Sequence, residues 1–115
     1  MLEEKGRLKI QMEENIKKDE IDYKEAKQII SEYPNTILLD VRSKQEYDEG
    51  HLPSSICICL YDIDKTVQNI IPNKTQKIIA YCSSGNRSRE AKKILENIGY
   101  KNVYNLSGGL DAIDN

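Results

Sequence analysis

The chain has 115 residues, 31% of them charged, and a formal net charge of −2 at pH 7. This length fits one compact domain, and the near balance of charge gives no basic surface for nucleic acid or an anionic membrane. No apolar run approaches the roughly 20 residues that span a bilayer, so we expect neither a membrane nor a nucleic-acid partner.

Residues 1–19 form a charged extension rich in Glu and Lys, and residues 20–115 form the predicted domain. The extension lacks the apolar segment of a secretory signal, which predicts a cytoplasmic protein. A solvated, frayed helix is the expected state. Leu8, Met12 and Ile16 lie four residues apart, however, so a helix that docks on the domain or on a second subunit is the alternative. The oligomeric state is left open, with this extension as a candidate dimer contact.

The first elements of the domain carry clear start and stop signals. Asp22 with Glu25, and Ser43 with Glu46, have the spacing of capping boxes that open two helices. Pro34 ends the first helix and Gly50 the second. The apolar stripe of the first helix is predicted to be Tyr23, Ala26, Ile30 and Tyr33. Between the helices, the nearly continuous apolar run 36–41 is typical of a strand that is covered on both faces.

The second half of the chain continues the alternation of strands and helices. Strands are predicted at 56–60, 77–81 and 102–106, with a helical stretch at 61–71. A further helix follows the third strand and ends at Gly99, a natural residue after a helix terminus. This order predicts an α/β domain with a mostly parallel sheet between helices.

The loop 82–88, Cys-Ser-Ser-Gly-Asn-Arg-Ser, lies between a predicted strand and a helix. In open α/β sheets, sites form beyond the carboxyl ends of strands. Gly85 lets the loop curl so that successive N–H groups converge, and the helix start and Arg87 add positive charge. Such surroundings lower the pKa of a cysteine and favour a nucleophilic thiolate at Cys82. The alternative is a buried, inert cysteine, which leaves the glycine and arginine unexplained.

The sequence resembles a single-domain rhodanese, a family of thiosulfate sulfurtransferases, across approximately residues 20–113. The resemblance is carried by four stretches in order: Leu38–Arg42 with Glu46 and Tyr47, Gly50–Pro53, Cys82–Ser88, and Leu106–Leu110. It implies a three-layer α/β/α domain with a five-stranded sheet. It also implies that Cys82 takes sulfur from thiosulfate or a related small anionic donor as a persulfide. The acceptor would be cyanide, a thiol or a protein thiol, and no cofactor is implied.

Roles for the remaining site residues follow from the loop and from the resemblance. Arg87 is predicted to bind the donor anion, and Ser88 to cap the helix after the loop. The resemblance implies a structural ion pair beneath the loop for Asp40 and Arg42, and structural support from Glu46 and His51. The predicted substrate-binding residues are the rest of the loop after the nucleophile: Ser83, Ser84, Gly85, Asn86, Arg87 and Ser88.

Two other functions remain open at this point. Cysteine-dependent phosphatases and arsenate reductases resemble this arrangement, but only four residues separate Cys82 from Arg87, and the narrower loop suits one sulfur atom better than a tetrahedral oxyanion. A non-catalytic binding or sulfur-relay module is the second alternative. Cys57 and Cys59 are interpreted as small buried residues or as a resolving thiol for Cys82. Their spacing with the lone His51 does not favour a metal site.

Overall fold

The computed structural model describes residues 20–113, so the predicted extension 1–19 and the last two residues lie outside the described residues. The described residues form five strands and four α-helices. The strands are β1 (Glu20–Ile21), β2 (Ile37–Asp40), β3 (Ile56–Cys57), β4 (Lys77–Tyr81) and β5 (Asn102–Leu106). The α-helices are α1 (Tyr23–Glu32), α2 (Lys44–Glu49), α3 (Ile63–Ile70) and α4 (Asn86–Asn97). Short 3₁₀ helices cover Leu60–Asp62 and Gly109–Ala112.

The five strands form one sheet in the order β1-β5-β4-β2-β3, and every neighbouring pair is parallel. In the register, Tyr81 lies opposite Asp40 on one side of β4, and Ala80 lies opposite Asn105 on the other. The carboxyl ends of β2, β4 and β5 therefore meet at one edge of the sheet. The predicted α/β class and five-stranded parallel sheet are confirmed.

Alternate strand residues point to opposite sides of the sheet. Because both faces carry apolar side chains, helices cover both. Leu39, Ile78 and Ala80 share one buried cluster with residues of α3 and α4. Ile79 and Tyr81 share the other cluster with Ala26 and Ile29 of α1. The domain is thus a three-layer α/β/α structure.

Both predicted capping boxes are present, Asp22 with Glu25 and Ser43 with Glu46. The predicted stripe of α1 is wrong in part, since Ile29 is buried while Tyr33 lies beyond the helix end and is exposed.

The predicted strand 56–60 is also wrong in extent, because β3 ends at Cys57. The N–H groups of Ile58 and Leu60 donate to the carbonyls of Asp40 and Val41, which are adjacent residues. The regular two-residue step of a parallel ladder is lost there, and the chain turns into a 3₁₀ helix.

Candidate active site

Cys82 follows β4 directly at the carboxyl edge of the sheet, and its side chain is fully buried. Its Sγ accepts hydrogen bonds from the N–H of Gly85 at 3.1 Å and the N–H of Ser88 at 3.4 Å. The Ser88 Oγ lies 3.4 Å from the same sulfur. The loop therefore surrounds the sulfur with hydrogen-bond donors, as the glycine-containing sequence predicts.

Two opposing effects set the pKa of Cys82. Burial raises it, but hydrogen bonds from the Ser88 hydroxyl and from the backbone of Ser88, Gly85 and Ser84 together lower it below its ordinary value. Donors stabilise the thiolate and not the thiol, because only the anion is a strong acceptor. These surroundings favour the thiolate form of Cys82.

The prediction that Ser88 caps the helix after the loop is wrong. Helix α4 begins at Asn86, and its N-cap is Gly85 in the left-handed conformation, with φ of 98°. The cap thus lies three residues before the predicted one, and the Ser88 hydroxyl lies beside Cys82 instead of capping the helix. A Cβ at Gly85 would lie 3.0 Å from the backbone nitrogen of Gly108, so a side chain has little room there.

The other loop residues differ in what they contact. The Ser83 hydroxyl lies 3.4 Å from the Arg87 guanidinium, while Ser84 is exposed and faces the sulfur with its backbone. Asn86 is exposed, and its side-chain oxygen accepts from Arg89 at 3.1 Å. The serine and asparagine side chains therefore line the rim, and backbone groups form the floor.

Arg87 is bound to Glu46 by two hydrogen bonds, Nη1 to Oε1 at 2.7 Å and Nη2 to Oε2 at 3.0 Å. This pairing, followed by a backbone hydrogen bond from Ser43, lowers the pKa of Glu46 to about 2. Glu46 also raises the pKa of Arg87. Glu46 was predicted as a supporting residue without a named partner, and the structure places it directly on the loop arginine.

Asp40 and Arg42 form a buried ion pair at the end of β2, with Arg42 Nη2 2.7 Å from Asp40 Oδ2. The same nitrogen donates to the Gly50 carbonyl at 2.7 Å, which ties the strand end to the turn after α2. His51 in that turn is exposed and stacks on Tyr47, with ring centroids 3.7 Å apart. The ion pair lies beside the site, because Asp40 is in register with Tyr81, the residue before Cys82. His51 instead contacts Tyr47, including a hydrogen bond to the Tyr47 carbonyl at 2.8 Å.

The segment after β5 holds the loop from outside. The N–H groups of Leu110 and Asp111 donate to the carbonyls of Cys82 and Ser83, each at 2.9 Å. A Cβ at Gly109 would lie 2.4 Å from the Cys82 carbonyl oxygen, so only glycine allows this approach. The resemblance marked this segment, but its contacts with the loop could not be predicted from its sequence.

The other two cysteines are half-buried free thiols. Cys57 donates its thiol to the Arg42 carbonyl at 3.7 Å, and burial raises the pKa of Cys57. Among residues 20–113, no group of three or more His, Cys, Asp or Glu side chains is placed to hold a metal ion. Within the same residues, every helix is too short or too polar to cross a bilayer.

The family of rhodanese-like domains matches residues 22–115. The chain belongs to this family. Thiosulfate sulfurtransferase PspE of Escherichia coli (strain K12) is 35% identical to it over 75 residues, covering 65% of this chain and 71% of that protein. Thiosulfate:glutathione sulfurtransferase of Saccharomyces cerevisiae is 29% identical over 101 residues, covering 77% of this chain and 73% of that protein.

A solved structure described as rhodanese with anions from E. coli has a TM-score of 0.62 and 32% identity, covering 68% of this chain and 91% of that one. Other relatives of this rhodanese-like domain bear different names, among them a tRNA uridine(34) hydroxylase and a putative sulfur carrier protein. The comparisons thus support the rhodanese type of enzyme family, and leave the substrates of this chain to be proposed.

Proposed function

We propose that this rhodanese-like domain is a sulfurtransferase that carries sulfur as a persulfide on Cys82. The observation that supports this most is the buried Cys82 sulfur with N–H groups directed at it from Gly85 and Ser88. Such donors stabilise negative charge on sulfur in the thiolate and equally in a persulfide. The sulfurtransferase names of the relatives point to the same chemistry.

In the first half-reaction the Cys82 thiolate attacks the outer sulfur of thiosulfate. A new S–S bond forms on Cys82, the S–S bond of thiosulfate breaks, and sulfite leaves with the electron pair. The charge is unchanged, since one monoanion and one dianion give another monoanion and another dianion. No base is needed because the attacking sulfur is already ionised.

In the second half-reaction an acceptor attacks the outer sulfur of the persulfide. A thiolate gives a new persulfide, cyanide gives thiocyanate, and Cys82 leaves as the thiolate. The N–H groups that stabilise the resting thiolate also stabilise this leaving group. A small thiol or a protein thiol is the proposed acceptor in the cell, and the predicted cytoplasmic location fits such acceptors.

Donor binding is proposed to use the rim of the loop. Arg87 is the nearest cation in the loop sequence, and its guanidinium also lies near the Ser83 hydroxyl. Because Glu46 already occupies two of its donors, Arg87 meets an incoming anion through its remaining N–H groups or by exchanging partners. Oxygen atoms of the donor would then contact Arg87 and Ser83, while the outer sulfur enters the loop.

Intact-mass measurement after incubation with thiosulfate tests the proposal. We expect the protein to gain one sulfur atom, and we expect Cys82→Ser to abolish the gain. Cys57→Ser is the matched control, since Cys57 is also a free thiol near the same sheet edge, and it should load sulfur normally. Absence of any gain with thiosulfate or glutathione persulfide would contradict the proposal. Cys82-dependent hydrolysis of an aryl phosphate would favour the phosphatase alternative instead.

A further inference from the structure

Asn105 is a polar residue inside a buried strand, and its side chain is fully buried. Its amide nitrogen donates to the Gly85 carbonyl at 3.1 Å and to Glu20 Oε1 at 2.9 Å. Both partners only accept hydrogen bonds, so the NH₂ group and not the oxygen must face them. Asn105 thus connects β5 to the glycine of the active loop.

The oxygen of the same amide, in contrast, lacks a hydrogen-bond partner among the described residues. This atom, Asn105 Oδ1, is buried. A buried acceptor without a partner destabilises a fold, and an apolar side chain of similar volume would avoid that cost. The amide at this position is therefore better explained by what its NH₂ group holds than by packing.

Gly85 connects the Cys82 sulfur to helix α4 through its backbone hydrogen bonds. It donates an N–H to Cys82 Sγ at 3.1 Å, and its carbonyl also accepts from the Arg89 N–H at 3.2 Å. The described residues contain no cis peptide bond. In a trans peptide the C=O and N–H point in opposite directions, so fixing the Gly85 carbonyl on Asn105 turns the Asn86 N–H away from it. That N–H belongs to the first turn of α4 and has no acceptor within the helix.

We propose that Asn105 is a positioning residue of this active site, which holds the Gly85 carbonyl so that the loop N–H groups stay directed at the sulfur of Cys82. The Gly85 N–H donates to the thiolate, and the Asn86 N–H is positioned to donate to the outer sulfur of the persulfide. This inference rests on the proposed function only for the second of these roles. Loss of the Asn105 amide lets the Gly85 peptides rotate, and the thiolate loses donors.

The test is the pH profile of Cys82 alkylation by iodoacetamide, followed on the Cys82 peptide by mass spectrometry. Asn105→Leu keeps the number and branching of the side-chain heavy atoms and removes the donor. We expect the pKa of Cys82 to rise in this variant. A rise of about one pKa unit would lower the alkylation rate near pH 6.5 about tenfold. The variant replaces none of the charged residues around the loop: Arg87 and Arg89 from α4, Glu46 from α2 and Glu20 from β1. Glu20 loses its hydrogen bond from Asn105 and keeps its ion pair with Arg89.

Asn102→Leu is the matched control, because Asn102 lies at the other end of β5 and its amide also donates to a backbone carbonyl, that of Thr75, at 2.7 Å. It should leave the profile unchanged. If Asn105→Leu does not fold, Asn105→Ser, which is smaller and too short to reach Gly85, replaces it with the same expectation. An unaltered Cys82 profile in the folded variant overturns the inference. The measurement needs no turnover, so failure of sulfur loading in the wild-type protein would be seen separately.

Discussion

Cys82 and Cys57 occupy related places with opposite chemistry. Cys57 ends β3 and Cys82 follows β4, so both lie at the carboxyl edge of the same parallel sheet. The pKa of Cys82 is lowered, whereas that of Cys57 is raised. The more deeply buried sulfur is the one that ionises more readily, so burial alone does not decide the outcome.

Burial raises the pKa of both thiols, and only at Cys82 do hydrogen-bond donors outweigh it. Within residues 20–113 Cys57 accepts no such donors, and its own thiol donates to the Arg42 carbonyl, a bond that only the neutral form makes. Cys82 accepts N–H groups from Gly85 and Ser88, an arrangement that favours the anion. Backbone donors and the Ser88 hydroxyl, more than the charge of Arg87, lower the pKa of Cys82.

The largest expected effect comes from disturbing the loop 82–88, which surrounds Cys82 and has no counterpart around Cys57 in the described part of the chain. In Gly109→Ala the new Cβ would lie 2.4 Å from the Cys82 carbonyl, and φ at this position is +59°. The loop must shift, and we expect sulfur loading to slow by about 10²-fold, as displacements of about 1 Å at active sites do. Loading rates measured by rapid quench and mass spectrometry check this. Gly50→Ala, where a Cβ meets nothing within 4 Å, should load at the wild-type rate.

A direct comparison of the two thiols in the same molecule should give the next largest difference. Near pH 6.5 we expect Cys82 to be alkylated at least about tenfold faster than Cys57, because their pKa values shift in opposite directions. Peptide-resolved alkylation with iodoacetamide measures both rates in one sample. Equal rates would mean that the donors around Cys82 do not control its ionisation.

Features decided within a few residues were predictable from the sequence. The capping boxes of Asp22 and Ser43 involve residues three apart, and both are confirmed. Strands β4 and β5 have the predicted bounds because each is a short segment with apolar residues at its centre, bounded by turn residues. The position of Cys82 at a strand end follows from these bounds alone.

Features that depend on the order of strands were not predictable. The Arg87–Glu46 pair joins residues 41 apart, and the Asn105–Gly85 bond joins residues 20 apart. Both contacts require β4 to lie between β2 and β5, and no local sequence pattern predicts that strand order. The position of Asn105 between Tyr104 and Leu106, inside the final strand, was nevertheless a signal. The start of α4 was misplaced because the left-handed conformation of Gly85 was not known.

Ser88→Ala removes a single donor to Cys82 and should change the reactivity of Cys82 less than the two comparisons above. Its hydroxyl is the strongest of the groups that lower the pKa of Cys82, while its backbone N–H remains in the variant. We expect the pKa to rise and the alkylation rate near pH 6.5 to fall by about threefold to tenfold. Ser84→Ala is the control, since Ser84 is exposed and contributes its backbone rather than its hydroxyl. Equal effects of the two variants would contradict the assignment of the Ser88 hydroxyl.

The smallest expected effect concerns charge near the loop. The pKa of Glu46 is lowered to about 2 from an ordinary 4.5, chiefly by Arg87. Its contribution to folding is therefore complete above the ordinary pKa and is lost as pH falls from about 4.5 toward about 2. Because both side chains are at least one-third exposed, we expect only about 0.2–1 kcal/mol, the range of surface pairs.

Urea unfolding of the wild-type protein and Glu46→Gln between pH 2 and 6 measures this contribution. The difference in unfolding free energy should be constant above about pH 5 and shrink as Glu46 is protonated. Glu96→Gln is a suitable control, because Glu96 pairs with Lys92 on α4, away from the loop. If Glu46→Gln shifts the pKa of Cys82 as much as Ser88→Ala does, then charge rather than donor direction separates Cys82 from Cys57.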